Sequence, residues 1–284
     1  MIPSGLSRRG LIAAGAAACA SPALAAGAGS FEYKGTLVQG GYLIGRSAPR
    51  SMVSLNGEAA GRAAADGVFI VGFDRDEAPS AMVSLHEDQG RTLQERLAVG
   101  PSVYDIQRID GLPDDQVEPT APALLARIAR EAELKAKAFA SRDDGEGFKD
   151  GFILPVAATR RSSSFGGQRI LNGKAGRPHY GVDLAAPVGA PIIAPAPGLV
   201  VLAEPTLHFE GGLTLIDHGQ GLIGMFLHQS RQFVRAGDRV ERGQRIGLVG
   251  QTGRATGPHL CWRLKWRAKN MDPSLMVGPP LNRG

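Results

Sequence analysis

Cysteine is almost missing from this chain of 284 residues: only Cys19 and Cys261 occur. Cys19 falls in the first 25 residues, so loss of that leader leaves a single thiol and excludes an internal disulfide. Long apolar runs are missing too. The stretch after Arg9 is too short to span a bilayer and no later segment is long enough, so no transmembrane segment is expected. No long Lys/Arg run and no interleaving of aromatic with basic residues occurs, which argues against nucleic acid as a partner. From 152 to 277 no helical stretch of any length is found.

What is present begins with a leader. "SRRGLIAAGAAACASPALA" has a basic pair, Arg8 and Arg9, an apolar stretch, and the small-x-small string Ala23-Leu24-Ala25. That is the layout of an export signal over residues 1–25, and its Ser-Arg-Arg-Gly opening looks like the twin-arginine kind. The Ala-rich approach to Cys19 is a poor context for a lipid anchor. A periplasmic or otherwise exported protein is therefore expected. The formal charge of +5 falls to +3 once Arg8 and Arg9 are removed, a mild basicity that suits an anionic polymer without demonstrating one.

Gly (39) and Pro (19) are plentiful and point to turn-rich β structure. Over 31–115, short apolar runs such as "GVFIVGF", "SAMVSLHE" and "SVYDIQRI" recur between turn signals, which predicts a small β-sandwich. The period changes over 121–150. Leu124, Leu125, Ile128, Ala132 and Phe139 fall near one helical face, and Glu131/Lys135 and Glu133/Lys137 form i,i+4 pairs on a solvated opposite face. One linker helix is predicted there. Residues 152–277 read as a compact, mostly antiparallel β domain. His86 stands alone and reads as a surface residue.

Five of the six histidines lie between 179 and 259. "PHYGVDLAAP" places His179 four residues before Asp183. "IDHGQGLIGMFLHQS" carries His218 and His228, and "GPHLCWRL" carries His259 and Cys261. If the last run is a strand, His259 and Cys261 share a face. Imidazole, carboxylate and thiolate are the side chains that bind zinc, and a catalytic zinc takes three of them. His179, Asp183 and Cys261 can supply ligands, and His228 and His259 can handle protons or stabilise an oxyanion. On residue types alone, a β domain with satisfied structural histidines remains open.

These runs, together with "FGGQRILNGKAGRPHYGVDLAAPVGAPIIAPAPGLV" and "VERGQRIGLVGQTGRATGPHLCWRL", resemble the lysostaphin-type (LytM-type) zinc endopeptidases that cut peptide cross-links in bacterial cell walls. The resemblance covers about 110 residues in order. It implies a C-terminal antiparallel β-sheet groove holding one Zn2+, with His179 and Asp183 as the first two ligands and His228 and His259 as catalytic residues. It implies peptidoglycan peptide stems as partners, with other cell-wall enzymes as further partners; the bond cut is left open between D-alanyl–diaminopimelate and glycyl-glycine, and a Gram-negative-type envelope, suggested by the leader and the added sandwich, favours the former. The N-terminal sandwich resembles the added domain of Gram-negative members. His218 in "DHG" reads as a hairpin residue. Arg177, Arg254 and Trp262 are candidates for the substrate groove.

The family's third ligand is the second His of His-x-His, and here Cys261 stands in its place. A thiolate is a competent zinc ligand. It leaves a His/Asp/Cys site formally neutral, where two His and one Asp leave one positive charge, so the metal is a weaker Lewis acid. Three readings follow. The chain is a zinc metalloendopeptidase; or it is a catalytically weak or inactive relative that binds wall peptide or regulates another hydrolase; or the thiolate is a redox-sensitive switch.

Overall fold

The computed structural model describes residues 31–88, 90–157 and 160–278. The expected leader, with Arg8, Arg9 and Cys19, lies outside these residues. Among the described residues no helix is long and apolar enough to cross a membrane.

Two antiparallel sheets form the N-terminal half. β1 (Glu32–Thr36) and β2 (Tyr42–Arg46) belong to one, β3 (Met52–Leu55) and β4 (Glu58–Arg62) to the other. β5 (Val68–Gly72) completes the order β1-β2-β5, and β6 (Ser80–His86) and β7 (Thr92–Ala98) complete β4-β3-β6-β7. β5 is buried along its whole length, as its Val-Phe-Ile-Val run requires. Asn56 and Gly57, both at positive φ, make the two-residue turn between β3 and β4. Leu43, Val53, Phe69, Val83, Leu85 and Leu97 fill the space between the sheets.

The run "SVYDIQRI" does form a strand, β8 (Ile106–Ile109), but it joins neither of these sheets. It is followed by one helical turn, α1 (Asp114–Val117), and then by α2 (Pro122–Phe139), which starts with proline at a position that needs no amide hydrogen. The buried side of α2 matches the predicted face only in part: Leu124, Ile128 and Phe139 are half-buried, but Leu125 and Ala132 are exposed and the side is extended towards charged residues. Glu131 and Ala138 are buried and Lys135 is half-buried, while Leu125 is 46% exposed. The carboxylate of Glu131 accepts bonds from Arg127 Nε (2.7 Å) and the His208 amide (2.9 Å), and Lys135 pairs with Glu210 at 2.5 Å. Polar partners in the turn between β14 and β15 thus draw Glu131 and Lys135 inward.

The C-terminal half is built from β9 (Arg160–Ser163), β10 (Gln168–Leu171), β11 (Lys174–Ala175), β12 (Val182–Ala185), β13 (Pro191–Ile193), β14 (Gly198–Leu207), β15 (Gly211–Asp217), β16 (Leu222–Gln232), β17 (Arg239–Val240), β18 (Arg245–Val249), β19 (His259–Trp266) and β20 (Lys269–Met271). The main sheet runs β17-β14-β15-β16-β19-β12-β9. β8 pairs in parallel with β10, whose other edge takes β11 across the Asn172-Gly173 turn. One face of the main sheet packs into a core that continues into the sandwich. The other carries Leu213, Leu215, Ile223, Met225, Leu227 and Cys261, and α2 lays Ala138 and Phe139 on it. The halves meet where β5 crosses β19 and β20. A side chain at Gly72 would lie 2.5 Å from Met271 Sδ, and Lys269 pairs with Glu77 at 2.8 Å.

Candidate metal centre and groove

Register on β19 decides who meets whom. Asp183 of β12 lies opposite Cys261, and Ala185 opposite His259. Alternation then puts Asp183, His259, Cys261 and Arg263 on one face. Trp262 points the other way. It is fully buried in the core and stacks on Phe152 with ring centroids 6.2 Å apart, so the expectation that it lines the groove is corrected.

His228 reaches the same face by an irregularity. Leu227 pairs with Cys261 and Phe226 with Trp262, so strict alternation would send His228 into the core. Its φ of 64°, beside a register shift between β15 and β16, swings the ring towards His259, with centroids 4.8 Å apart. A non-glycine residue in this conformation costs roughly 1–3 kcal/mol and persists where the surroundings hold it, commonly at functional sites. Here the His228 amide donates to Glu210 O at 2.9 Å and Nδ1 donates to Thr252 O at 2.8 Å.

Three unlike donor atoms converge. One ligating atom each from His179, Asp183 and Cys261 lies within 4.8 Å of the other two. His179 Nε2 is 3.3 Å from Cys261 Sγ and 3.2 Å from Asp183 Oδ1. His179 Nδ1 is occupied by Ser163 Oγ at 2.8 Å, which turns Nε2 inward. Asp183 Oδ1 is buried and accepts no aligned hydrogen bond. Such an orphaned anionic oxygen is costly without a cation, and the imidazole–carboxylate–thiolate set is one that suits a metal ion. The residues fit a metal.

A further shell holds these atoms. Arg169 Nη2 donates to Asp183 Oδ2 at 3.1 Å, and Arg263 Nε donates to Cys261 Sγ at 3.3 Å. Burial favours the neutral form of Asp183, but His179, His259 and Arg169 outweigh it and hold the carboxyl below its ordinary range. Burial pushes His228 down to about 4 and also lowers His259. Both imidazoles are therefore neutral at neutral pH. His259 Nδ1 donates to Gly257 O at 2.8 Å, which leaves its Nε2 as an acceptor 3.6 Å from Asp183 Oδ1.

The remaining candidates separate cleanly. Arg254 lines the small cavity beside Asp183, His228 and His259, whereas Arg177 is exposed and stands outside it. His218 is fully buried at the β15–β16 hairpin, where Nδ1 meets Pro197 O at 2.8 Å. His86 is exposed beside Thr92. A larger cleft of about 450 Å3 near Tyr33, Arg46 and Lys149 has no histidine or cysteine in its lining.

Ser163, Arg169 and Arg263 carry no motif that marks them as site residues in the sequence. Period-two spacing from Cys261 was a signal for Arg263; Arg169 and Ser163 come from other strands and left none. The roof over the cavity has no sequence signal either. Ile109 and Leu112 close the space above Asp183, His228 and His259, leaving about 50 Å3. Asn172 and Leu112 exchange two hydrogen bonds (3.1 and 2.8 Å), Arg254 Nη1 donates to Gln116 O at 2.9 Å, and His208 Nε2 meets Asp115 O at 3.0 Å.

Comparison with known proteins agrees with this geometry. Residues 177–273 match peptidase family M23. Peptidoglycan DD-endopeptidase ShyA of Vibrio cholerae is 41% identical over 95 residues, 34% of this chain and 22% of the relative. Peptidoglycan DD-endopeptidase ShyC of the same organism is 40% identical over 139 residues, 48% of this chain and 32% of the relative. The matched part thus spans under a third of these curated relatives. The crystal structure of a candidate M23 peptidase from Pseudomonas aeruginosa is similar over much more: 31% identity, 86% of this chain and 96% of that one, with a TM-score of 0.66. On that near-complete match, and with the family segment holding the His/Asp/Cys cluster, the chain belongs to peptidase family M23.

Proposed function

We propose that this chain is a zinc-dependent endopeptidase that cuts peptide cross-links of peptidoglycan outside the cytoplasmic membrane, during cell-wall remodelling. The observation that carries the reading is the convergence of His179, Asp183 and Cys261 on one point, flanked by two neutral imidazoles. The name DD-endopeptidase borne by ShyA and ShyC supports the D-alanyl–diaminopimelate bond as the bond cut. Export by the 1–25 leader belongs to the same reading, as does a division into a sandwich (31–115), a helical linker (121–150) and a catalytic domain (152–277).

His179 Nε2, Asp183 and Cys261 Sγ would hold the zinc. Bound there, zinc supplies Lewis-acid polarisation of the scissile carbonyl and acidification of water. His259 is the proton carrier: its Nε2 is free, and Asp183 lies close enough to stabilise the imidazolium formed when a water proton is taken. The same nitrogen returns that proton to the leaving amine. His228, its Nδ1 fixed on Thr252 O, offers Nε2 as a second acceptor that orients the attacking water. Arg169 and Ser163 hold Asp183 and His179 in place.

The test is incubation of zinc-loaded protein with isolated sacculi, alongside zinc stoichiometry. Released peptides with one zinc per chain support the reading; bound zinc without peptides across pH 6–9, in the wild type and in a variant with the roof loosened (Leu112→Gly, Asn172→Ala), overturns it. The thiolate at position 261 favours a second reading, a weakly catalytic relative that binds wall peptide and regulates another hydrolase. That reading expects peptide bound with little or no cleavage.

A further inference from the structure

We infer that the guanidinium of Arg254 is a carboxylate anchor that sets substrate specificity, and that the main-chain carbonyl of Gln116 occupies it in the closed groove seen here. The inference rests on the endopeptidase reading of the site.

Arg254 faces the cavity that also holds Asp183 and His259. Its guanidinium lies over the Phe209 ring, 4.8 Å from the centroid, which fixes the plane of the group. Among the described residues its side chain makes one hydrogen bond, Nη1 to Gln116 O at 2.9 Å. No carboxylate among them pairs with it. The nearby acids pair elsewhere through one oxygen each, Asp183 Oδ2 with Arg169 and Glu210 Oε1 with Lys135, and among the described residues neither lies at ion-pair distance from Arg254. A cation partly removed from water, hydrogen-bonded to one neutral carbonyl and attracted by Glu210 only from beyond ion-pair distance, is poorly matched. The guanidinium fork is matched best by two oxygens of a carboxylate.

The proposed substrate brings such a group to the right place. In a D-alanyl–diaminopimelate cross-link, the amine that leaves sits on a carbon bearing a free carboxylate. Binding that carboxylate on Arg254 would hold the leaving nitrogen near His259, which must protonate it. For this Gln116 O has to withdraw. The segment that carries it is lightly packed, though Leu112–Asn172 and Asp115–His208 bonds must also break: α1 buries no residue, Gly111 sits at φ 76° with open space where a Cβ would lie, and the outer Lys174–Glu118 pair is mostly exposed. Strap and substrate compete for one guanidinium.

The experiment uses zinc-loaded protein and a cross-linked peptide dimer whose scissile amide is replaced by a non-cleavable CH2–NH link. The carboxyl beside that link is either free or amidated, and binding is measured by calorimetry. The wild type is expected to bind the acid at least about tenfold tighter than the amide, as a bidentate charged pair implies. R254Q should bind the two within about twofold of each other, R254K should fall between, and the acid alone should speed hydrogen exchange over 109–118. Equal binding of acid and amide by the wild type overturns the inference, as does discrimination that survives in R254Q. If R254Q melts early, R254K decides: undiminished discrimination there also overturns it. Because the probe cannot be cut, a hydrolase that fails on sacculi and an anchor that fails here give different results.

Discussion

An anionic oxygen that is buried and accepts no aligned bond, and a histidine held at φ 64°, are both expensive single residues. Asp183 and His228 occur within one small site, and the cost is offset when a cation and a substrate use them. The two neutral imidazoles then differ in role through their neighbours. Only His259 Nε2 faces Asp183, so only its protonated form has a counter-charge close by. His259→Ala should lower kcat on sacculi by roughly 10²–10⁴-fold, the usual worth of general acid–base catalysis, and leave one zinc per chain; loss of zinc would instead make it a ligand. Cys261→His restores a formal positive charge to the site, and turnover should hold or rise. A fall to zero would mean the groove is shaped around the thiolate. That His259 and Cys261 share a face was legible from "GPHLCWRL" because strand alternation is local. The company of Arg169 was not, since β10 belongs to a different sheet and meets Asp183 only in the fold.

At the scale of elements, β16 and α2 show where periodicity stops informing. β16 is an apolar run that reads plainly as a strand, but the register shift that turns His228 into the groove follows from its pairing with β15. α2 was legible as a helix from its 3.6-residue spacing, and its orientation only in part: Leu124, Ile128 and Phe139 turn inward as expected, while Leu125 and Ala132 do not. The i,i+4 pair Glu131/Lys135 suggests a solvated face, yet each residue finds a partner on the β14–β15 corner, His208 and Glu210. Glu131→Ala removes the acceptor of the His208 amide and should cost about 1–3 kcal/mol in urea unfolding, the price of an unmatched buried donor. The same change at an exposed carboxylate such as Glu133 should cost well under 1 kcal/mol. Equal effects would show that Glu131 is not held as described.

For the whole molecule, strap, sheet and sandwich are mutually supporting. The sandwich meets the β19–β20 end of the catalytic sheet, its outgoing chain crosses the groove as β8 and α1, and α2 then covers the sheet's outer apolar face. Burial of His218 makes this assembly sensitive to acid. Its folded pKa is pushed down to about 4 from an ordinary 6.5, so the folded state holds it neutral while the unfolded chain takes up a proton. Its contribution is complete above about pH 6.5 and is lost as pH falls from there towards 4, on the order of 3 kcal/mol in all. His218→Gln should flatten the fall in unfolding free energy over that window; an unchanged slope would mean the ring is not held neutral.

Cys261 as a metal ligand beside His179 and Asp183 is the central proposal. Cobalt substitution tests this most directly, because a thiolate bound to Co2+ gives an intense near-ultraviolet charge-transfer band that nitrogen and oxygen ligands do not. The wild type should take up one Co2+ per chain and show the band, and Cys261→Ser should lose it. One Co2+ per chain with no such band in the wild type would contradict the account.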